Sequence, residues 1–265
     1  MPELPEVETW RRLAEREAVG HTIVDVTVAD DKKVFDKNAP QTLRHKLKGR
    51  TITGTDRRGK HLWLTFDAPG ELYLHFGMTG SLHVFPEGDE DPPSHLKLQL
   101  HLDDDRVLGY RCVRRIGKVR WLKEVAAMPP VSNLGPDPLR DDLSAEWVLD
   151  QLRAKKGTIK SALLNQKLFA GVGNWIADEV LYQARLDPRR RCGDLSEKEI
   201  RSLRTQLLRV LKKAVEAGAD ADTFPRTWLF HVRWSRKNTH TARGEALRFD
   251  TVGGRTTAWA PERQG

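Results

Sequence analysis

The chain has 265 residues, enough to bury a substantial core, and chains of this length more often form two domains than one. Its 38% hydrophobic and 31% charged residues are typical of a soluble globular protein and argue against a disordered one. No apolar run approaches the roughly 18 residues that span a bilayer, and the acidic start MPELPEVET is unlike a signal peptide. We therefore expect an intracellular protein, in the cytoplasm or nucleoid if bacterial and in the nucleus if eukaryotic.

The charge balance favours a polyanionic partner. Lys and Arg total 45 against 37 Asp and Glu, which gives a net charge of +8 and a pI near 9.6. From residue 226 to the end there are eight Lys or Arg and three Asp or Glu. Nucleic acid and an anionic membrane surface both fit this charge.

The cysteine count limits the metal chemistry. Cys112 and Cys192 lie 80 positions apart, so they cannot form a CxxC metal-binding pair. Two thiols in an intracellular chain are usually reduced and structural.

The first half of the chain has the pattern of a β protein. Val7, Trp10 and Ala14 fall at helical spacing after Pro5 and predict a short helix. Residues 21–125 then alternate apolar and polar positions between Gly, Asp and Pro turns, in segments such as HTIVDVTV, ELYLHFGMTGSLHVF and HLKLQLHL. This pattern predicts an antiparallel sandwich or barrel.

The second half has a helical period. Residues 127–140 contain four prolines and one glycine and are the predicted linker. Helices are predicted at 143–155, 158–165, 173–185 and 196–217, and ALRFDTV and TTAWA predict strands of a hairpin around the sequence GGR. The predicted fold is α+β: a β-sandwich domain at 1–126, the linker, a helical domain at 141–221 and a hairpin region at 222–265.

The N-terminus carries potential chemistry. Removal of Met1 would leave Pro2 with a free secondary amine, and an α-amino group titrates at about pH 8. Such an amine can attack an aldehyde or a sugar C1′ and form an iminium, an electron sink for elimination. Glu3 is the adjacent carboxylate and can protonate a leaving group or the opening sugar ring. Because many proteins begin with Met-Pro, this pair alone is weak evidence.

Two motifs strengthen this hypothesis. MPELPEVET and KLFAGVGNWIADEVLYQAR together resemble the formamidopyrimidine-DNA glycosylase (Fpg) family, which includes endonuclease VIII-like enzymes. The resemblance covers the chain except at its C-terminus. It implies an N-terminal β-sandwich and a helix–two-turn–helix domain, with Pro2 as nucleophile, Glu3 as acid/base, and Glu6 and Glu179 as supporting carboxylates.

The resemblance also assigns roles to residues of the predicted sandwich. Lys60, in DRRGKHLWL, would approach a DNA phosphate and transfer protons in the eliminations. Met78, Arg114 and Ile116 would fill the space left by the everted nucleotide, with Arg114 facing the orphaned base. Family members commonly have phenylalanine in place of Ile116, and an isoleucine can wedge but cannot stack.

Further residues would grip the DNA backbone. The glycines of AGVGN allow a tight turn before a helix, whose N–H groups can hold a phosphate together with Asn174. By the same resemblance Lys155 and Lys160 contact phosphates, and His95 contacts DNA.

The C-terminus departs from the typical family pattern. Fpg enzymes usually end in two CxxC pairs that bind zinc, whereas residues 226–265 contain no cysteine and only His231 and His240 as soft-metal donors. The region resembles the zincless finger of plant Fpg, in which Arg255 at the hairpin tip would reach the DNA backbone and count with the catalytic residues. We expect no zinc and no other cofactor.

The resemblance implies a monomeric bifunctional DNA glycosylase and AP lyase acting on double-stranded DNA with oxidised bases or abasic sites. The segment EAGADADTFPRTWLF is shorter than the lesion-capping loop of bacterial enzymes that favour 8-oxoguanine, so we expect formamidopyrimidines and hydantoins as substrates and leave 8-oxoguanine open. Two alternatives stay open from the residues: a protein that binds damaged DNA without cleaving it, and an RNA- or ribosome-binding module.

Overall fold

The computed structural model describes residues 2–265 and divides them into two compact units. The first unit contains Pro2 and Glu6–Asn133, and the second contains Glu3–Pro5 and Leu134–Gly265. Among the described residues, no helix combines the length and the apolar character needed to span a bilayer.

The first unit is built on two four-stranded antiparallel sheets, as expected. One sheet has the order β1-β6-β7-β5 and the other has the order β2-β3-β4-β8. The strands of the first sheet are β1 (Ile23–Val28), β5 (Gly80–Pro86), β6 (Leu96–Leu102) and β7 (Arg106–Cys112). Those of the second are β2 (Ile52–Arg58), β3 (His61–Phe66), β4 (Glu71–His75) and β8 (Lys118–Leu122). Alternate apolar side chains of both sheets join one buried core, which is the packing of a sandwich.

Two helices accompany the sheets. Helix α1 (Leu4–Ala18) matches the predicted first helix. Helix α2 (Pro40–Leu47) falls inside the region that the alternation assigned to strands, so that assignment was wrong here. Pro40 at the start and the buried pair Leu43 and Leu47, one helical turn apart, are the signals that could have identified it.

The second unit contains the predicted helices, each slightly shorter than expected. They are α3 (Ala145–Arg153), α4 (Ile159–Leu164), α5 (Asn174–Ala184) and α6 (Glu197–Glu216). Ser144, Thr158 and Ser196 lie just outside these helices as N-caps whose hydroxyls accept backbone N–H groups. The helices pack around a core that includes Trp175, and a short helix α7 (Pro261–Gln264) ends the chain.

The predicted hairpin is present as β9 (Arg248–Val252) and β10 (Arg255–Trp259). Gly253 and Gly254 form its two-residue turn with φ of 62° and 72°, a conformation that favours glycine at both positions. A Cβ on Gly253 would also lie 2.8 Å from the Ser161 Oγ. The inner end of β10 contributes Ala258 to a small apolar cluster with Tyr182.

Candidate active site

The Glu3 side chain is anchored at the start of α5. It is buried, its Oε1 accepts a hydrogen bond from the Trp175 N–H at 2.9 Å, and its Oε2 accepts one from the Ile176 N–H at 3.2 Å. These N–H groups and the positive end of the helix dipole favour a negative charge on the carboxylate. The Leu4 N–H donates to the Gly171 carbonyl at 3.2 Å, so backbone and side chain both fix this segment.

The approach of Glu3 explains a glycine in AGVGN. A Cβ on Gly173 would lie 2.2 Å from the Glu3 Cδ, so any larger residue would displace the carboxylate. Pro2, the predicted nucleophile, is half-buried directly before Glu3. The predicted removal of Met1 concerns a residue outside the described range.

Asn174 contacts the hairpin. Its Nδ2 donates to the Thr256 carbonyl at 2.9 Å, and its Oδ1 is buried with no hydrogen-bond partner among the described residues. Thr256 directly follows Arg255, whose side chain is exposed at the hairpin turn. The structure thus brings together the two expected phosphate-binding segments, the start of α5 and the hairpin tip.

Lys160 does not have the placement expected of a phosphate contact. Its side chain is fully buried, and its Nζ lies 2.5 Å from the Asp178 Oδ1 and 2.5 Å from the Thr257 Oγ1. In this arrangement the ammonium is enclosed by protein acceptors and is not exposed to a phosphate, and the expected contact stays a prediction. Sequence reasoning missed Asp178, although a charged residue inside the apolar run WIADEVL indicates a buried, paired charge.

Lys155 and His95 lie on exposed connections. Lys155 is half-buried between α3 and α4, and only its backbone N–H has a hydrogen bond described here, to the Leu152 carbonyl. His95 is exposed before β6 at a φ of 62°, and its Nδ1 lies 3.0 Å from the Ser94 Oγ.

The two supporting carboxylates differ in burial. Glu6 is half-buried in the first turn of α1. Glu179 is fully buried in α5, where it accepts hydrogen bonds from the Gln183 Nε2 at 2.7 Å and the Phe230 N–H at 2.9 Å. Burial raises the pKa of Glu179 to about 7, although both hydrogen bonds oppose the shift.

Lys60 lies in the turn between β2 and β3, next to two histidines. His61 pairs with His75 across the sheet, their rings stack 5.0 Å apart, and the His61 Nδ1 lies 2.7 Å from the Tyr73 hydroxyl. Burial, with the charge of Lys60 as a further cause, lowers the pKa of His61 to about 3 and that of His75 to about 4. Both imidazoles are therefore neutral at physiological pH, and Lys60 supplies the positive charge of this cluster.

The three predicted void-filling residues lie on neighbouring loops of the first unit. Met78, Arg114 and Ile116 are all exposed. The Arg114 Nη1 lies 3.5 Å from the Met78 Sδ, and the Arg114 N–H donates to the Thr79 Oγ1 at 3.3 Å. A Cβ on Gly77 would lie 2.9 Å from the Ile116 Cγ1, so the two loops touch.

The chain does not offer the donors of a zinc finger. Cys112 and Cys192 are buried free thiols, and neither belongs to the hairpin region. Within residues 2–265 the single His, Cys, Asp or Glu group with metal-compatible spacing is His21, Asp103 and Asp104, in the first unit, where Arg106 already pairs with Asp104. The residues present therefore do not fit a structural zinc in the finger.

Comparisons with known proteins agree with this arrangement. Residues 1–119 match the formamidopyrimidine-DNA glycosylase N-terminal domain, and residues 134–225 match the H2TH domain of the same family. The chain is 39% identical to formamidopyrimidine-DNA glycosylase of Arabidopsis thaliana, over all of this chain and 71% of that protein. It is 32% identical to the Pelobacter propionicus enzyme of the same name, over the full length of both.

Solved structures show the same fold. Lactococcus lactis Fpg bound to DNA with an AP site superposes with a TM-score of 0.86 at 29% identity, covering 99% of each chain. MutM in complex with DNA containing carbocyclic 8-oxo-G gives a TM-score of 0.86 at 30% identity, covering all of both chains. The chain therefore belongs to the formamidopyrimidine-DNA glycosylase family, DNA glycosylases that act on damaged bases in base excision repair.

Proposed function

We propose that this protein is a bifunctional DNA glycosylase and AP lyase that uses the Pro2 amine, exposed by removal of Met1, as its nucleophile. The observation that carries the proposal is the anchoring of Glu3 on the Trp175 and Ile176 N–H groups. Because these bonds fix the residue that follows Pro2, the amine is held one residue from an immobilised carboxylate. Fixed geometry between a nucleophile and its proton carrier lowers the entropic cost of reaction.

The chemistry then follows from these groups. The Pro2 nitrogen attacks C1′, the glycosidic bond breaks, and the base leaves with the electron pair of that bond and takes a proton from water. Glu3 accepts the proton that the amine loses and returns it to the sugar ring oxygen, so that the ring opens and an iminium forms. Loss of a C2′ proton expels the 3′ phosphate, and a second elimination expels the 5′ phosphate, with Lys60 assisting proton transfer. Water hydrolyses the remaining imine and releases the enzyme.

Each unit offers groups that would contact DNA. Arg255, Asn174, Lys155 and His95 are the proposed backbone contacts, and the exposed loops of Met78, Arg114 and Ile116 would occupy the vacated position in the duplex. The contact between Arg114 and Met78 supports a joint role of the two loops. Since several cations would neutralise phosphates, binding should weaken steeply with salt.

The proposed substrates are formamidopyrimidines and hydantoins, with 8-oxoguanine less favoured. The segment that would carry a lesion-capping loop is folded onto the helical core, where Phe224 packs against Trp175, Trp228 and Phe230 at centroid distances of 5.8, 4.9 and 4.9 Å. A segment packed in this way has little length left to close over a flipped base.

Borohydride trapping on an abasic-site duplex tests the proposal. We expect a covalent protein–DNA adduct with the wild type that is lost in Pro2→Gly and persists after treatment with a chelator. Pro40→Ala, at the start of α2, is the matched control for a proline replacement and should trap normally.

Failure of well-folded wild-type protein to trap would reject the lyase mechanism and favour a protein that binds damaged DNA without cleaving it. Loss of trapping after chelation alone would show that the activity depends on a metal. Competition between lesion duplex and single-stranded RNA distinguishes an RNA-binding module.

A further inference from the structure

The β9–β10 hairpin needs an anchor. An isolated two-stranded hairpin is marginally stable in water, and small fingers of this size commonly depend on a metal. The described part of residues 222–265 offers His231 and His240 as its only soft donors, and their nitrogens lie near the Pro225 carbonyl and the Thr239 hydroxyl. Another interaction must therefore hold the hairpin on the second unit.

A buried cluster of charged side chains contacts strand β10 of the hairpin. Asp178 on α5 accepts hydrogen bonds from the Lys160 Nζ at 2.5 Å, the Arg233 Nη2 at 2.7 Å and the Ala258 N–H of β10 at 3.3 Å. Lys160 also donates to the Thr257 hydroxyl at 2.5 Å. None of the four side chains involved is more than 8% exposed.

We propose that the cluster of Lys160, Asp178 and Arg233, here called the finger clamp, fastens the hairpin to α4 and α5 and replaces the structural metal of a zinc finger. It links four segments of the chain: α4, α5, the segment after α6, and strand β10. A tetrahedral zinc likewise joins distant segments through directed bonds, and loss of the central group should free the attached strand.

The buried charges of the clamp must stay paired, and this requirement favours a single arrangement of the three side chains. Removing one partner of a buried ion pair leaves an uncompensated charge, which is far more costly than losing an exposed pair. Asp178 has two oxygens that can accept from both cations and from a backbone N–H together. An asparagine of the same shape would present an NH₂ group to one of these donors.

The clamp fixes the position of the hairpin tip. Lys160 Nζ lies 3.4 Å from the Thr256 carbonyl, which also accepts from Asn174. Thr256 and Thr257 are the next two residues after Arg255. The clamp therefore fixes the backbone from which the exposed Arg255 side chain extends. Lys160, Asp178 and Arg233 are positioning residues. Their fastening of the hairpin stands by itself, whereas their effect on DNA binding rests on the proposed function of Arg255.

Hydrogen exchange of the full-length protein tests the fastening directly. In Asp178→Asn we expect the amides of β9 and β10 to exchange at least about tenfold faster, while the amides of α6 keep their wild-type rates. Treatment of the wild type with a chelator should leave the exchange of the hairpin unchanged. Glu197→Gln, which removes an exposed ion pair with Arg201, is the matched control and should change neither region.

Milder variants cover the case in which Asp178→Asn does not fold. Thr257→Val keeps the shape of the side chain but removes one acceptor of Lys160, and Arg233→Lys keeps the charge. Thr257→Val should accelerate exchange in β10 by a smaller factor, and Arg233→Lys should retain more protection than Arg233→Met.

The outcomes separate the clamp from the proposed function. Unchanged hairpin exchange in these variants, equal acceleration across α6, or acceleration of the wild type by a chelator would overturn the clamp. On a duplex containing tetrahydrofuran in place of the lesion, Asp178→Asn should bind about tenfold more weakly than the wild type. On a saturating abasic-site duplex, the same variant should be trapped by borohydride at an unchanged rate. Faster hairpin exchange with unchanged DNA affinity would support the clamp and reject the DNA role of Arg255.

Discussion

Two buried glutamates, one in each unit, have pKa values that are shifted in opposite directions. Glu8 in α1 accepts a hydrogen bond from the Arg57 Nε at 2.9 Å and from the Arg11 Nη2 at 3.1 Å. Burial alone would raise the pKa of Glu8, but the hydrogen bonds and charges of these arginines outweigh it and lower the pKa to about 2. Glu179 accepts only neutral donors in the contacts described, and its pKa rises to about 7.

The comparison shows that the charge of the donor, more than burial, decides whether an enclosed carboxylate is ionised. Glu8 is a permanently charged structural group within the first unit. Glu179 titrates near physiological pH, and it joins α5 to the Phe230 N–H in the segment that leads to the hairpin.

The largest effect is expected from breaking the Glu8 network. Arg57 is only 1% exposed, and Glu8→Gln removes the charge of the carboxylate that accepts a hydrogen bond from its buried guanidinium. We expect a loss of about 3–5 kcal/mol in the free energy of unfolding of the first unit, the usual cost of removing one partner of a buried ion pair. Urea denaturation at pH 7 measures it.

Glu15→Gln is the matched control, since Glu15 also pairs with Arg11 but is half-exposed. A similar loss in both variants would mean that burial of Arg57 does not set the cost.

A smaller effect, with the opposite dependence on pH, is expected at Glu179. Because its folded pKa lies above the unfolded value of 4.5, ionisation destabilises the fold as pH rises from about 4.5 to about 7. Glu179→Gln should therefore match the wild type near pH 4 and exceed it at pH 8, by up to about 3 kcal/mol at 1.36 kcal/mol per pKa unit. The Gln183 amide can rotate to accept from the new NH₂ group.

Thermal denaturation at the two pH values checks this, with the exposed Glu262→Gln as control. A stability difference that does not change with pH would show that Glu179 is ionised in both conditions or in neither.

Much of this architecture was predictable, for identifiable reasons. Alternation predicted the strands of the sandwich, the helical period predicted the helices, and Gly253 and Gly254 marked the hairpin turn. The fixed position of Glu3 could not be read from its neighbours, because its partners Trp175 and Ile176 lie more than 170 residues away. The burial of Lys160 could not be foreseen for a related reason: its sequence suggested an exposed cation, and only the fold places it against Asp178.

The smallest expected effect concerns His61 and His75. These two imidazoles extend the comparison of the glutamates to basic groups, and neither has a carboxylate partner in the contacts described. Burial is the main cause of their lowered pKa values, and Lys60 adds to it. Lys60→Met should therefore raise the pKa of both histidines, while both stay below 6.5 because they remain buried. Imidazole NMR shifts between pH 2 and 8 measure both, and Lys118→Met, a lesser influence on His75, is the control. Unchanged pKa values of both rings would show that the charge of Lys60 does not contribute to the lowering. If Lys60→Met restored the pKa of His75 to 6.5, charge and not burial would be the cause of its lowered pKa. The effect of burial seen at Glu179 would then not apply to these two histidines.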